Sequence, residues 1–502
     1  MIYMESKTTR AFSPAAVFAG IYAVVFVFGF VLLEVFQIDF FESFGDLLDF
    51  LGLFASPDAS ALDSIVELSL QTLLIALAGS SIGLLIGLPL AYLGSESSKS
   101  KILRLVARAV GAVFRAIPDL VFALIAVAVF GFGAFAGVLA LGFSSAGMFA
   151  RLFADRFDQQ TLSAETLKLT GTKNLAVFLA STVREHFGFI AQNFLYRLDI
   201  NFRSATTLGL VGAGGIGIAL RTATGSLNYS LAATVILVIA ISVLAIEFAS
   251  TLLAKLFLQR PTVGSGLFFG VFAFGIGATV FAAIAGNLNL SRAPEFFIEL
   301  LSPNLNAFAL ALPLLIDSLA MAGFGIGIGV VFGFVLGAVA SGRGFWSLIA
   351  RALLVGIRSI PAIVLGIVLV IAIGLGPVAG AFTLAITATS VLGKLTSDGL
   401  KTHIDSSSIA LSVIGIRPAS VFFASKIRSY SQSFVGDSFF VFDVVIRYSL
   451  VLGIVGAGGL GNYLLDALRV YDFQTVSTVI ILILLVIIPL EIIASRLKKR
   501  FI

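Results

Sequence analysis

The stretch "VGAGGIG" (211–217) returns almost unchanged as "VGAGGLG" (455–461). Each copy spells G-x-G-x-x-G: Gly212, Gly214 and Gly217, then Gly456, Gly458 and Gly461. Dinucleotide-binding loops carry the same spacing. Such a loop, however, follows a strand, opens a helix in a soluble βαβ unit, and has an acid about 20 residues further on. Here both loops lie between apolar runs long enough to cross a bilayer, and open sheets do not cross lipid. The glycines, Gly215 and Gly459 included, therefore serve a membrane fold. They let helices approach closely or let the chain turn at the end of a span, or their unwound backbone lines a solute path.

Composition agrees. The 502 residues are 59% hydrophobic and only 12% charged, with a mean hydropathy of +1.09. A soluble domain needs about twice that charge. There is no Cys and there are two His, His186 and His403, which excludes disulfides and cysteine-held metal clusters. No nucleophile–base pair, metal-ligand cluster or phosphate-binding G-x-x-x-x-G-K-[ST] loop stands out, so no catalytic residue and no bound metal is expected. The net charge of +5 does not argue for nucleic acid, because the charges gather at span edges.

A bilayer-crossing helix needs about 20 mostly apolar residues. About twelve candidates begin near residues 15, 65, 112, 134, 187, 231, 266, 311, 356, 377, 433 and 475. The expected fold is an all-α polytopic membrane protein. Residues 39–63 hold Asp39, Glu42, Asp46, Asp49, Asp58 and Asp63 with no Lys or Arg, and are expected outside. Lys99, Lys101, Arg104 and Arg108 follow in the next loop, on the cytoplasmic side by the positive-inside rule. Arg151, Lys168, Arg260, Arg343, Lys394 and the tail Arg496 to Arg500 fall on that side too, and only Arg221, Arg292 and Arg469 fall outside. Both termini are then cytoplasmic.

The repeat extends well beyond the glycines. "RAIP" from Arg115 pairs with "RSIP" from Arg358, and "FGFGAFAGVLAL" (130–141) with "IGLGPVAGAFTL" (373–384). "DINFRSATTLGLVGAGGIG" (199–217) pairs with "DVVIRYSLVLGIVGAGGLG" (443–461). Such a long period is a duplicated bundle, not a solenoid unit. The expected units are 1–257 (core 65–257) and 267–502 (core 310–500), joined by a polar cytoplasmic linker, 258–266. An even number of spans per unit gives both the same orientation and a pseudo-two-fold along the membrane normal.

With these motifs in hand, the chain resembles the membrane permeases of ABC importers, and among them the phosphonate type. The resemblance rests on 115–141, "SAETLKLTGTKNLAVF" (163–178), 197–217 and "AIEFASTLLAKLF" (245–257), each with a counterpart in the second half. It implies the type I importer (MetI-like) fold, here as two permease units fused in one chain. It also implies a separate ATPase dimer below, carrying ATP and Mg, a solute-binding protein outside, and phosphonate, phosphate, phosphite or a related oxyanion as cargo. The family's coupling segment, which docks on the ATPase, matches Glu165, Thr166 and Gly171 in the first half. In the second half it matches Ala410 and Gly415, with the acid missing. An organic nutrient as cargo, or an ion-coupled secondary transporter using Asp317, Asp199 and Asp443, stands as the alternative.

Charges inside a membrane bundle are functional candidates by default. Asp199 with Arg203 and Asp443 with Arg447 recur at i, i+4, acid first, the favourable order on a helix. Either each pair neutralises itself, or the two arginines face one another across the path and attract an oxyanion. Arg115 and Arg358 are expected to snorkel to the interface beside a helix-starting proline. Glu247 and Glu491 mark the cytoplasmic ends of the last spans. Gln71 and Asp317 correspond and have no assigned role.

Overall fold

The computed structural model describes residues 14–34, 56–96, 98, 100–158, 174–259, 261–286, 293–402, 413–415 and 427–501, with isolated positions 52, 420 and 425. Among the described residues there is no strand. Among the described residues, eight helices are long and apolar enough to cross a membrane, or ten if two bent pairs each count as one span. The chain is a multi-pass α-helical membrane protein.

The difference from twelve has physical causes. The span expected near 187 is Phe187–Leu208, which carries Arg197, Asp199 and Arg203 and is not among the eight. The span expected near 15 is the 19-residue apolar helix Pro14–Leu32. The spans expected near 112 and 356 are the bent pairs. Lys101–Ala116 meets Asp119–Phe130 at 91°, and Phe345–Ser359 meets Ala362–Ile373 at 90°. Proline makes both corners. It lacks the N–H that would continue a helix, and it drives the preceding residue to extended backbone. Ile117 sits at φ −78°, ψ 124° before Pro118, and Ile360 at φ −91°, ψ 122° before Pro361.

The first helix of each bent pair is amphipathic and lies against a surface. Ile102, Leu105 and Val106 stand exposed beside Lys101 and Arg104, and Phe345, Trp346 and Leu348 do the same on the other. This is the pattern of a helix lying in a membrane interface. The second helix has 12 residues in both cases. That is about 18 Å at 1.5 Å per residue, short of the ~30 Å hydrocarbon core.

Helices of the same order fill 62–259 and 305–501, called here the first and second helix sets. In each set the long first helix packs on the fourth through a glycine ridge. A Cβ on Gly79 would lie 2.5 Å from Leu141 Cβ, and one on Gly87 2.7 Å from Phe149 Cβ. Gly325 and Gly333 make the same approach to Leu384 and Leu392. Small residues at four-residue spacing let membrane helices close to backbone distance, where dispersion and weak polar contacts hold them.

Two helices cross between the sets. Pro14–Leu32 packs on Leu305–Ser341: Phe26 stacks on Phe324 at 5.6 Å, and a Cβ on Gly323 would meet the Val25 carbonyl at 2.6 Å. Pro261–Ala285 packs on the first set, with Phe268 against Phe194 at 5.4 Å and Phe187 at 5.2 Å. Each set therefore wears a helix that the expected boundary assigns to the other. The expected linker 258–266 is largely helical, because Tyr229–Gln259 ends and Pro261–Ala285 begins inside it.

Candidate functional site

The two glycine turns close the two central helices. Phe187–Leu208 and Ile427–Leu452 each tighten into a 3₁₀ turn, Gly209–Val211 and Gly453–Val455. The chain then reverses through left-handed glycines. Gly212, Gly214 and Gly215 have φ of 90°, 85° and 81°, and Gly456, Gly458 and Gly459 have 91°, 70° and 75°. The turns are pinned from neighbouring helices. Gly133 N–H donates to Gly212 O, and Gly376 N–H to Gly456 O, both at 3.0 Å. Gly215 N–H donates to Gln71 Oε1 at 3.0 Å, and Ile216 N–H to Thr72 Oγ1 at 2.8 Å. In the second set Leu460 N–H donates to Ser318 Oγ at 3.0 Å. Asp317 beside it is half-buried.

One stability prediction follows from that geometry. A Cβ on Gly459 would sit 2.5 Å from Ser318 Oγ on a backbone only glycine adopts easily. Gly459→Ala should destabilise the protein by about 1–3 kcal/mol. Gly277→Ala, with nothing within 4 Å, is the control and should leave the thermal midpoint unlowered. Equal midpoints for the two variants in detergent would contradict this role of the turn.

About two helical turns before the glycines, two ion-pair clamps join the sets. Arg203 Nη2 lies 3.3 Å from Asp199 Oδ1 and 2.9 Å from Glu247 Oε2. Its Nη1 donates across to the Arg358 carbonyl at 3.1 Å, and Arg358 Nη1 stands 3.8 Å from Glu247 Oε1. The other clamp has the same plan. Arg447 Nη2 is 2.8 Å from Asp443 Oδ2, and its Nη1 donates to the Arg115 carbonyl at 2.6 Å. Arg115 Nη2 pairs with Glu491 Oε1 at 2.8 Å. Arg151 pairs with Glu491 as well. Its counterpart Lys394 pairs instead with Asp398, at 3.8 Å.

Arg115 and Arg358, expected at the interface, end the two interface-type helices beside the proline corners and reach the acid of the opposite set. Arg203 and Arg447 take part in their local i, i+4 pairs and also bridge the sets.

A second polar cluster occurs in the first set. Arg197, 7% exposed, donates through Nε to Ser145 Oγ and through Nη2 to Ser144 Oγ, each at 2.8 Å. Asp119 Oδ1 lies 3.6 Å from its Nη2 and accepts from Ser204 through Oδ2 at 2.7 Å. Asn201 Nδ2 donates to Ser80 Oγ at 2.8 Å. The aligned positions of the second set are Val441, Ala362, Tyr448 and Val445, which cannot build it. Sequence reasoning passed over Arg197 because its acid lies on a distant helix, outside any i, i+4 pattern. A lone arginine inside an apolar helix was the available signal.

Between the sets lies a cavity of about 860 Å³. Leu124, Val127 and Val211 wall one side, and Ile367, Ile454, Val455 and Gly456 the other. Arg221, Thr224, Asn462, Arg469 and Tyr471 add polar groups. Val211 and Val455 each lie eight residues beyond a clamp arginine, about 12 Å along a helix. The cavity is thus displaced from the clamps toward the end where Ser230 O accepts from Asp58 N–H at 3.1 Å. Among the expected site residues, only Gly456 lines it. Glu165, Thr166, Gly171 and Ala410 lie outside the described residues. Gly415 sits in a turn at φ 80°, beside exposed Val413 and Ile414.

The sequence model of the binding-protein-dependent transport system inner membrane component matches residues 79–263. The phosphate-import permease protein PhnE of Mycolicibacterium smegmatis is 31% identical over 456 residues, covering 87% of this chain and 85% of that protein. The chain belongs to this family of transport permeases. The phosphite transport system permease protein PtxC of Stutzerimonas stutzeri is 32% identical over 243 residues, 47% of this chain but 88% of its own length. The putative cryptic phosphonate transport system permease protein PhnE2 of Escherichia coli K12 is 29% identical over 122 residues, 24% of this chain and all of its own. No solved structure matches the chain significantly.

Proposed function

We propose that this chain is the permease subunit of an ABC importer, two fused units forming one path for phosphate, phosphite, phosphonate or a related oxyanion. The similarity to a phosphate-import permease along 87% of the chain carries the reading. A relative that aligns over most of its own length to about half of this chain supports the fusion. The basic side, with Arg104, Arg108 and Arg343, is cytoplasmic by the positive-inside rule, and both termini lie there. A separate ATPase dimer docks on that side, supplies ATP and Mg chemistry, and engages Glu165 to Gly171 and Ala410 to Gly415. A solute-binding protein delivers cargo on the other side, into the cavity.

The clamps then act as the cytoplasmic gate. Closed, they hold Arg115 on Glu491 and Arg358 on Glu247 across the sets. A push at the coupling segments opens the gate by pulling the proline-cornered helices off the opposite acids. Arg203 and Arg447 steady those corners by bonding the carbonyls of Arg358 and Arg115.

The test starts with the full chain, purified from native membranes with a C-terminal tag in mild detergent. A P-loop ATPase should co-purify. After reconstitution with that ATPase and its binding protein, phosphate or phosphite uptake should require ATP. A lone chain that moves solute on an ion gradient would overturn the proposal. Within the complex, Glu165→Ala should lower substrate-stimulated hydrolysis more than any single change at 409–415, because the second segment lacks the acid. Equal losses from both segments would reject unequal coupling.

A further inference from the structure

The cavity holds two cations that the clamps leave out. Arg221, on Gly217–Gly225, is exposed, and its guanidinium has no hydrogen bond or ion pair among the described residues. Arg469 closes Leu460–Arg469, with a single 3.4 Å contact to Asp466 between side chains that are 65% and 57% exposed. Water screens such a pair. By contrast Arg115, Arg151, Arg197, Arg203, Arg358 and Arg447 each lie within 4.0 Å of an acid. Packing does not account for Arg221, because its charged end meets no polar partner among the described residues.

The surroundings suit an anion. Val127, Val211, Leu375 and Val455 give the cavity low-dielectric walls. Such walls focus the field of a charge and raise the local concentration of counter-ions. A guanidinium offers a planar fork of donors that fits two oxygens of a tetrahedral oxyanion. The Asn462 amide offers a neutral hydrogen-bond donor in the same space, and Thr224 lies one turn from Arg221. Arg221 aligns with Leu465, and Arg469 with Gly225, so the repeat does not generate the pair; only the closure of the two sets brings both to one cavity.

We propose that Arg221, with Arg469, forms an anion-capture site for a phosphate-class oxyanion on the cavity side opposite the clamps. The site rests on the oxyanion reading above. It holds cargo released by the binding protein while the clamps are still shut, and the unpaired guanidinium is what lets it act. A clamp arginine would first have to give up its acid.

The chain has no cysteine, so Thr224→Cys places one thiol in the cavity. Its modification is timed in the purified full chain with a sulfonate-bearing and a trimethylammonium-bearing methanethiosulfonate. Adding Arg221→Gln should lower the anionic-to-cationic rate ratio about threefold or more, and molar salt should shrink that difference. In the reconstituted complex, Arg221→Gln with Arg469→Gln should cut phosphate and phosphite uptake per ATP hydrolysed about tenfold, with Arg221→Lys retaining part of it. A reagent ratio indifferent to Arg221, or unchanged uptake per ATP in the double variant, overturns the site. If the unaltered complex imports neither anion while the ratio still depends on Arg221, the anion site stands and the importer's assigned cargo falls.

Discussion

Glu491→Arg should abolish uptake and lower the thermal midpoint of the purified chain more than any other single change in the clamps. The substitution sets a cation against Arg115 and Arg151, with Arg447 bound to the Arg115 carbonyl. Removing one member of a largely buried pair costs about 3–5 kcal/mol, and reversing its sign adds repulsion. Glu247→Arg makes the same reversal in the other clamp, against Arg203 and Arg358. Its effect should be smaller. Glu247 is 35% exposed where Glu491 is 17%. Swapping the charges, Arg115→Glu with Glu491→Arg, should recover part of the stability, though Arg151 then opposes the new arginine. Melting curves and ATP hydrolysis without binding protein would be measured together. The milder Glu491→Gln should raise that hydrolysis, because a weakened gate opens without cargo. Equal behaviour of Glu491→Arg and Glu247→Arg, or no rescue by the swap, would remove the clamps as a gate.

Arg197→Leu should be the second large loss, and it should appear as instability, not as altered coupling. The buried guanidinium organises Asp119, Ser144 and Ser145 in one cluster. Without it Asp119 keeps, among the described residues, the Ser204 hydroxyl, and two serines lose a charged partner. A buried charge left uncompensated costs about 3–5 kcal/mol. Arg197→Leu with Asp119→Ala should be milder than Arg197→Leu alone, because the second set, built with Val441 and Ala362, packs the same positions without charge. If the double variant is the less stable one, the cluster is not an ion-pair unit.

Much of the architecture can be read along the chain because the bilayer demands it locally. Long apolar runs, glycines at four-residue spacing and basic flanks each act within one helix or one loop. The pairing of "RAIP" with "RSIP" and of the glycine turns is visible for the same reason. The proline corners were visible as prolines, but a helix start and a 90° bend look alike in a linear string. What decides between them is whether the preceding helix lies in the interface, as exposed Trp346 and Leu105 show.

The candidate site divides along the same line. The Asp199–Arg203 and Asp443–Arg447 pairs are one helical turn apart, so spacing alone reveals them. Their outer partners, Glu247 with Arg358 and Glu491 with Arg115 and Arg151, come from distant helices and opposite sets. No period in the sequence encodes them. The crossing of Pro14–Leu32 and Pro261–Ala285 onto the opposite sets is hidden in the same way, since a short connection does not say which bundle a helix will embrace.

By itself, then, the sequence determined an all-helical membrane chain, the duplicated motifs, the glycine turns and the local charge pairs, because hydrophobic length, backbone freedom and i, i+4 contacts are properties of short segments. The tertiary structure alone decided which acid each clamp arginine meets across the sets. Closing one helix set on the other brings acids to Arg115 and Arg358 and leaves Arg221 facing a cavity. A charge's role in a membrane depends on what lies within a few ångströms of it, and that distance is set by packing between helices far apart in the chain.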